Sequence, residues 1–559
     1  MKWVHHVLFL FFILLLGSLL RFTNLNWDSF LAFHPDERNI AWAVTRIHFF
    51  DQMNPKFFAY GGLPIYLYRT IGEIVVAITR DTNWLFDWGH IAVIGRYVSA
   101  TLSSVSILLI YVVARSYFSR VTGLASAFFL AFSPWAIREA HFATTETMLV
   151  FFLLLLVLLA HKFFLKPSVK LTLAQGLILG LAIAAKTTSV LFALIPITAL
   201  VLPLTFFSRP RIKSQSIQHM LLQLFLLTAT AGVIFFLFSP YTILDWQHFK
   251  ESMNYETGVA LGRFSVPYTL QFLHTIPYLY QLQTMLWQSG PVAIVGLIGL
   301  LFLVFEAGRV GSFKEMPTER LRKKSSPSPA ALVVFLIFPI VYFLWQGSWF
   351  AKFARYNVPL LPFLTITASW LLITIYNKFR LTGLACVACT ACVALLWGLA
   401  NWTIYIRPQT RIEASRWMTK NIPPDTAIYT EHWNDGLPVF LPGDPVVSYN
   451  RELLNVYDPD TDQKKEIITK QLAKGDFIIL STRRIWGTMP KLSERYPFTS
   501  RLYQKLLNGQ SDYKEVATFT SYPSLFGISI NDDSAEESVQ VFDLPTVKIF
   551  QKKHTLNGR

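Results

Sequence analysis

The run TETMLVFFLLLLVLLAH (145–161) carries a single charged residue, Glu146, near its start and is otherwise dominated by large apolar side chains. A stretch of this kind, close to the roughly 18 residues that mark a membrane-spanning helix, predicts a transmembrane segment. Comparable runs recur up to about residue 400, and 53% of the 559 residues are hydrophobic. The sequence therefore predicts a polytopic α-helical membrane protein.

The other apolar runs extend this prediction along the chain. From about residue 405 the sequence is more polar, and β-branched and aromatic segments alternate with helical patterns, which predicts a soluble α/β domain. The predicted domains are a transmembrane domain at 1–404, with large outer loops at 21–88 and 240–289, and an extracytoplasmic domain at 405–559. The eleven predicted spans lie at 4–20, 89–114, 121–137, 145–161, 171–186, 188–207, 217–239, 290–307, 330–347, 356–376 and 382–400.

The formal net charge of +16 belongs to the membrane part, because residues 405–559 hold 20 Lys and Arg against 19 Asp and Glu. This distribution argues against nucleic acid as a partner. With a cytoplasmic N-terminus, the predicted inner loops carry 17 Lys and Arg, whereas the outer loops after the second span carry six. Basic loops favour the cytoplasmic side. We therefore expect a multi-pass protein of the cell membrane with an extracytoplasmic C-terminal domain.

Polar and charged side chains gather at the predicted outer ends of the spans, the depth at which a lipid phosphate would lie. Ionisable residues at membrane depth are costly and are candidates for function. The candidate site residues are His34, Asp36, Glu37, Arg138, Glu146, Lys186, Arg355 and Tyr356.

The acidic pair Asp36-Glu37 follows the first predicted span in the sequence HPDE (34–37). One carboxylate could deprotonate an attacking hydroxyl, and the other could orient it or pair with a cation. Neighbouring residues point in different directions, so the two acids are not expected to contact the same atom. An ordinary helix start with acids in its first turn explains the pair equally well.

Three basic residues are candidates for holding a phosphate. Arg138 lies in SPWAIREAHFATTETMLVFF (133–152), and its planar fork of donors suits phosphate, although a headgroup anchor is an equal alternative. Lys186 stands between two apolar helices and could bind phosphate or snorkel to the interface. Arg355 precedes Tyr356 just before a span, where an interfacial belt of cations and aromatics is also expected.

Several common catalytic and metal-binding motifs are absent from the sequence. The sequence contains no Walker-type phosphate loop and no H-E-x-x-H, and its three cysteines all lie in the apolar run CVACTACVA (386–394). No metal site is predicted from these patterns.

A sharp turn is also predicted in the first outer loop. In FAYGGLPIYLY (58–68), the pair Gly61-Gly62 before Pro64 permits this turn.

A family resemblance emerges from the order and spacing of several of these segments. They resemble the polyprenyl-phosphate-dependent membrane glycosyltransferases of the GT-C fold, in particular the protein O-mannosyltransferase and aminoarabinose-transferase-like enzymes of glycosyltransferase family 39. The segments are FHPDERNIAWAV, YGGLPIYLY, GRYVSATLSSVSILLIY (95–111), SPWAIREAHFATTETMLVFF, GLAIAAKTTSVLF and ARYNVPLLPF.

The resemblance implies an inverting transfer of a monosaccharide from polyprenyl phosphate to an acceptor hydroxyl. By motif, the base falls on Asp36 with Glu37 supporting it. Phosphate binding is then expected at Arg138, Lys186 and Arg355. Many relatives carry an Asp at the start of the fourth span, where this chain has Glu146, so that residue is expected on the acceptor side or in support, as are His34 and Tyr356.

The implied partners are a polyprenyl-phosphate monosaccharide, membrane lipid, and an acceptor that is a protein, a lipid or a glycan. No cofactor beyond the lipid-linked donor is expected, and the resemblance points to a metal-independent branch, although the outer acids leave a divalent cation open. Two alternative functions are also compatible with the sequence: a flippase or transporter for lipid-linked sugars, and a non-catalytic membrane scaffold. A carrier would place polar residues near mid-membrane in broken helices, whereas most predicted spans are uninterrupted.

Overall fold

The computed structural model describes residues 2–203, 210–308 and 328–553, and within these ranges the chain divides into two units. The first unit comprises the described residues within 1–25, 36–262 and 276–402, and the second comprises those within 26–35, 263–275 and 403–559. Two short stretches of the predicted transmembrane domain are thus grouped with the C-terminal part. Arg209, the basic residues predicted for the inner loop at 309–324, and the end of the predicted span 188–207 lie outside the described residues.

The first unit is helical. The 3₁₀ helices Thr187–Ala193 and Ala354–Leu360 each lead into an α-helix. The α-helices are Lys2–Phe22, Pro35–Thr45, Gly62–Thr79, Asn83–Phe86, Trp88–Tyr117, Arg120–Ala131, Pro134–Ala140, Glu146–Leu165, Val169–Ala185, Leu194–Val201, Pro210–Phe238, Tyr241–Leu244, Trp246–Ala260, Leu279–Ser289, Pro291–Gly308, Pro329–Gly347, Leu361–Lys378 and Arg380–Trp402.

Eight helices among the described residues are long and apolar enough to cross a membrane, and a ninth candidate is the pair Arg120–Ala131 and Pro134–Ala140, bent by 58°. Two shorter apolar helices, Val169–Ala185 and Thr187–Val201, occupy the positions of the remaining predicted spans. The prediction of a polytopic α-helical membrane protein is therefore confirmed. The number of eleven crossings and their sidedness stay predictions.

Local sequence explains where these helices begin and end. Glu146–Leu165 has an acid in its first turn and Lys162 in its last, which complements the helix dipole. The Ser168 hydroxyl caps the following helix by accepting the N–H of Leu171 at 3.3 Å. Pro134 begins a new helix after Ser133, because proline supplies no N–H to continue the preceding one. Charged and capping residues thus determine where these helices begin and end.

The helices Pro291–Gly308 and Leu361–Lys378 pack closely because a glycine lies at their contact. A Cβ at Gly296 would lie 2.4 Å from the carbonyl oxygen of Leu364, so only glycine permits this approach. The Thr367 hydroxyl donates to the Gly296 carbonyl at 2.7 Å across the same contact. Small residues and interhelical hydrogen bonds of this kind hold helices together where the surrounding solvent is lipid.

The second unit contains a five-stranded sheet, which confirms the predicted C-terminal α/β domain. Its strands are β1 (Ala427–Glu431), β2 (Asn450–Leu454), β3 (Phe477–Leu480), β4 (Tyr513–Phe519) and β7 (Val547–Lys552), and a separate hairpin consists of β5 (Ser524–Leu525) and β6 (Ile528–Ser529). The order is β2-β1-β3-β7-β4, with β1 parallel to β2 and β3, and β7 antiparallel to β3 and β4.

The apolar sides of amphipathic helices cover both faces of this sheet. One face packs Ile428 and Ile479 against Ala414 and Met418 of the helix Thr410–Asn421. The other packs Ile478 and Leu480 against residues of later helices, including Ile468, Tyr503 and Leu506. The remaining helical segments of this unit are Pro267–Phe272, Thr403–Ile406, Asp462–Lys474, Arg483–Trp486, Met489–Lys491, Pro497–Leu507 and Glu537–Val539.

Candidate active site

Asp36 lies at the start of the helix Pro35–Thr45, where the fixed backbone of Pro35 begins the first turn. Its carboxylate pairs with the guanidinium of Arg355, from the 3₁₀ helix Ala354–Leu360. The two side chains are 17% and 24% exposed, so the pair is reachable from solvent. Arg355 is held in turn by the ring of Phe353, 4.8 Å away, and by a hydrogen bond with Tyr356. Segments more than 300 residues apart in sequence therefore meet at one carboxylate.

Glu37, the neighbouring acid, occupies a different environment. Arg96 donates Nε to its Oε1 at 2.9 Å and Nη2 to its Oε2 at 2.5 Å, and both side chains are fully buried. The backbone N–H of Ala143 also donates to Glu37 Oε1, at 2.6 Å. The structure thus gives the two acids separate partners, with Asp36 accessible and Glu37 enclosed.

A second carboxylate–cation pair joins Glu146 and Lys186. Glu146 begins the helix Glu146–Leu165, and Lys186 follows the end of Val169–Ala185 with an extended backbone (φ −156°) that breaks the helix. The Lys186 Nζ donates to Glu146 Oε1 at 2.9 Å, and the side chains are 17% and 2% exposed respectively. Both residues were predicted as site candidates, and the structure brings them together.

Tyr60 links the two pairs. Its hydroxyl is hydrogen-bonded to Asp36, and its ring lies 5.5 Å from the Lys186 Nζ. Burial, reinforced by the negative charge of Asp36, raises the pKa of Tyr60 well above its ordinary value. The phenol therefore stays protonated and donates its hydrogen bond to the carboxylate.

A glycine makes this contact possible. Gly61 donates its N–H to the carbonyl of Ala185 at 3.0 Å, and a Cβ on it would lie only 1.9 Å from the carbonyl oxygen of Ala184. The loop carrying Tyr60 consequently rests directly on the helix end that presents Lys186. The turn predicted at Gly61-Gly62 was noted in the sequence, but its neighbour Tyr60 was missed as a site residue.

Arg138 and His34 are the remaining candidate site residues. Arg138 places its guanidinium 5.4 Å from the ring of Phe142, and the adjacent Glu139 interacts electrostatically with Glu146, Lys186 and Arg355. His34 belongs to the second unit, where its ring packs 4.2 Å from that of Phe542. Among the described residues, no group of three or more His, Cys, Asp or Glu is arranged to hold a metal ion.

The arrangement combines complementary chemistries within one unit. Asp36 is a carboxylate able to accept a proton, and Arg355 and Lys186 are cations that could hold an anion. Tyr60 fixes Asp36 by a hydrogen bond and touches Lys186 through its ring. Such a site suits a reaction in which a hydroxyl loses a proton while negative charge develops on a phosphate.

Comparison with known proteins agrees with this chemistry. The family model described as dolichyl-phosphate-mannose-protein mannosyltransferase matches residues 84–252, a range that includes Glu146 and Lys186. The resemblance stated from the sequence motifs is therefore confirmed over that part of the chain. No curated protein matches the chain significantly.

Several solved structures are similar to the chain at low identity. The archaeal oligosaccharyltransferase AglB from Archaeoglobus fulgidus, in complex with an inhibitory peptide and a dolichol-phosphate, is 13% identical, covering 99% of this chain and 89% of its own, with a TM-score of 0.49. ArnT from Cupriavidus metallidurans bound to undecaprenyl phosphate is 14% identical, covering 100% and 99%, with a TM-score of 0.43. The S. cerevisiae Pmt1–Pmt2 complex bound to the sugar donor is 17% identical, covering 44% and 34%, with a TM-score of 0.33.

Proposed function

We propose that the protein is an inverting glycosyltransferase that moves a monosaccharide, a hexose or a pentose, from polyprenyl phosphate to an acceptor hydroxyl at the outer face of the membrane. The observation that carries this proposal is the meeting of the Asp36–Arg355 and Glu146–Lys186 pairs at Tyr60. The family-model match over residues 84–252 supports a lipid-phosphate donor. The charge distribution of the loops supports the outer face.

The reaction requires one proton acceptor and a holder for the leaving phosphate. The acceptor oxygen forms a bond to the anomeric carbon, and its proton passes to Asp36. The bond between that carbon and the phosphate oxygen breaks, and its electron pair stays on the phosphate. Because attack and departure occur on opposite sides of the carbon, a single displacement inverts the configuration. The phosphate gains negative charge as it leaves, so cations fixed beside it lower the barrier.

Arg355 connects donor binding to the base. Its guanidinium is paired with Asp36. A guanidinium fork matches the geometry of phosphate oxygens, so a lipid phosphate competes with Asp36 for it. Once Arg355 turns to the phosphate, the Asp36 carboxylate is free to receive the acceptor proton, still oriented by Tyr60.

The other predicted residues take supporting roles in this proposal. Lys186 acts as a point charge on the phosphate and is positioned by Glu146, while Arg138 is a further phosphate ligand. Tyr356 supports Arg355 through their hydrogen bond. Glu37 supports the base by anchoring the helix that carries Asp36, through Arg96, rather than by touching a reactant. The acceptor-side role predicted for His34 stays a prediction.

The test gives the purified protein a mixture of radiolabelled polyprenyl-phosphate hexoses and pentoses as donors, with envelope membranes from a strain that lacks this protein as the source of the acceptor hydroxyl. An enzyme releases free polyprenyl phosphate, whereas a flippase or a scaffold leaves the sugar attached to the lipid. We expect Asp36→Asn to abolish release while retaining the wild-type unfolding temperature. Asp51→Asn, which changes an exposed acid of the same predicted loop, is the matched control and should stay active. Full activity of Asp36→Asn would reject Asp36 as the base.

A further inference from the structure

The helix Trp246–Ala260, in the second predicted outer loop, is bonded at both ends to other segments of the first unit. At its start, Asp245 accepts hydrogen bonds from Asn54 Nδ2 at 2.6 Å and Lys56 Nζ at 2.8 Å. At its end, the carbonyl of Ala260 accepts the N–H of Ala351 at 3.0 Å. Ala351 lies a few residues before Arg355 in the chain, so the helix end is fixed to the segment that leads into the site.

The middle of this helix faces the same site. Thr187, which follows Lys186 directly, donates its hydroxyl to Met253 Sδ at 3.6 Å. Residues spaced by three, four and seven positions share a helix face, so Glu256 lies on the face that carries Met253 and Ala260. That face is the one joined to the Lys186 corner and to the segment before Arg355. The helix geometry therefore directs Glu256 toward the site.

The electrostatics of Glu256 agree with this placement. Burial raises the pKa of its carboxyl, Arg355 and Lys186 act to lower it, and Asp36 acts to raise it. The side chain is nevertheless exposed to water, unlike the Glu146 carboxylate, which is 2% exposed. Glu256 is therefore an exposed acid whose carboxyl is influenced by the charges of Arg355, Lys186 and Asp36.

We propose that Glu256 positions the acceptor by accepting a hydrogen bond from a hydroxyl or N–H group beside the attacking hydroxyl. The inference rests on the proposed transferase function and extends it to the acceptor. A carboxylate repels the donor phosphate, which the cations Arg355 and Lys186 hold. Asp36 already has another role in the proposed reaction, because it accepts the proton of the attacking hydroxyl. Glu256 is an exposed acid carried by a separate helix, Trp246–Ala260, and is left to bind the acceptor.

The test compares Glu256→Gln with Glu251→Gln on the same helix, where Glu251 accepts a hydrogen bond from the nearby Gln247 in an exposed contact. Labelled polyprenyl-phosphate sugar is the donor, and envelope membranes from a strain that lacks this protein supply the acceptor. We expect Glu256→Gln to raise the apparent KM for these membranes at least about 10-fold, since a hydrogen bond to a charged group is lost. Excess membranes should restore the rate, and Glu251→Gln should match the wild type.

Each alternative result has a defined meaning. An unchanged KM for the membranes overturns the inference, as does a raised KM for the donor, which would place Glu256 on the transferred sugar. A loss of kcat that excess membranes do not restore also overturns it, because Glu256 would then act in proton transfer. Absence of polyprenyl phosphate release by the wild-type protein would instead reject the proposed function itself. Unfolding temperatures of both variants verify that each is folded.

Discussion

The carboxylate of Glu37 and the guanidinium of Arg96 form a two-point ion pair with both side chains fully buried. Glu37 also binds the backbone N–H of Ala143, three residues before Glu146. One acid thus joins the helix Pro35–Thr45 to the helix Trp88–Tyr117 and to the segment that leads into Glu146–Leu165. The adjacent Asp36 is left to face Arg355, so the pair divides into an anchoring acid and an accessible acid.

Replacing Glu37 with Gln should therefore destabilise the protein more than it alters chemistry directly. Removing one partner of a buried ion pair leaves an uncompensated charge and costs about 3–5 kcal/mol. We expect a clearly lower unfolding temperature for Glu37→Gln in detergent, whereas Asp36→Asn, at a partly exposed position, should unfold near the wild-type temperature. An inactive Glu37→Gln protein with unchanged thermal stability would instead give Glu37 a direct role.

The contact between Gly61 and Ala184 leads to a second prediction. A methyl group at Gly61 would lie 1.9 Å from the Ala184 carbonyl oxygen, so Gly61→Ala must displace the loop that carries Tyr60. A shift of about 1 Å at a catalytic group can lower the rate about 100-fold. We expect a loss of that order in polyprenyl phosphate release. Gly232→Ala is the control, because nothing lies within 4 Å of the Cβ it would introduce, and it should keep full activity.

Much of the fold could be predicted from the sequence, because apolar runs of spanning length identify the helices directly. The helices Trp88–Tyr117, Glu146–Leu165 and Arg380–Trp402 lie where such runs predicted spans. The α/β character of the C-terminal part followed from its β-branched and aromatic strands. The division of the chain did not follow, since residues 26–35 and 263–275 join the second unit through contacts distant in sequence.

The candidate site was predictable in composition but not in pairing. Position at the end of a span selected Asp36, Glu146, Lys186 and Arg355, yet nothing in the local sequence assigns Arg355 to Asp36 or Lys186 to Glu146. Arg96 lies inside an apolar helix, and nothing in the surrounding sequence indicates that it pairs with Glu37. Tyr60 and Glu256 were missed because their significance depends on how two loops pack, which periodicity does not encode.

The Lys186–Glu146 pair allows stability and binding to be separated by a double-mutant cycle. Lys186→Gln leaves the Glu146 carboxylate, 2% exposed, without its cation, which costs toward the lower end of roughly 3–5 kcal/mol because Lys186 is partly exposed. Adding Glu146→Gln removes the stranded charge, so we expect the double variant to recover most of the lost thermal stability.

Binding should not recover in the same cycle, because Lys186, the cation proposed to bind the phosphate, is still absent. Undecaprenyl phosphate, added to the purified protein, should raise the unfolding temperature of the wild type and much less that of either Lys186→Gln variant. If the double variant regained both stability and ligand response, Lys186 would be a structural partner of Glu146 and not a ligand of the phosphate.

The second unit should lose stability as the pH rises from about 4.5 to about 8. Burial raises the pKa of Glu431 from 4.5 to about 8, although hydrogen bonds from Tyr503 and Asn434 act in the opposite direction. The folded state therefore binds a proton that the unfolded state has released, so this contribution is fully present below pH 4.5 and lost as the pH rises through about 8. Within that window the slope approaches about 1.4 kcal/mol per pH unit. Glu537, whose pKa burial raises to about 7, adds to the same trend.

Hydrogen exchange in the full-length protein tests this dependence locally. Amide protection in β1 (Ala427–Glu431), corrected for the intrinsic effect of pH on exchange, should decline between pH 5 and pH 8. Glu431→Gln stays neutral over this range, so its β1 protection should depend less on pH, leaving the smaller contribution of Glu537. Glu466→Gln, on an exposed helix face where Glu466 pairs with Lys470, should behave as the wild type. Equal pH dependence in all three proteins would mean that Glu431 is ionised throughout, with the surrounding hydrogen bonds outweighing burial.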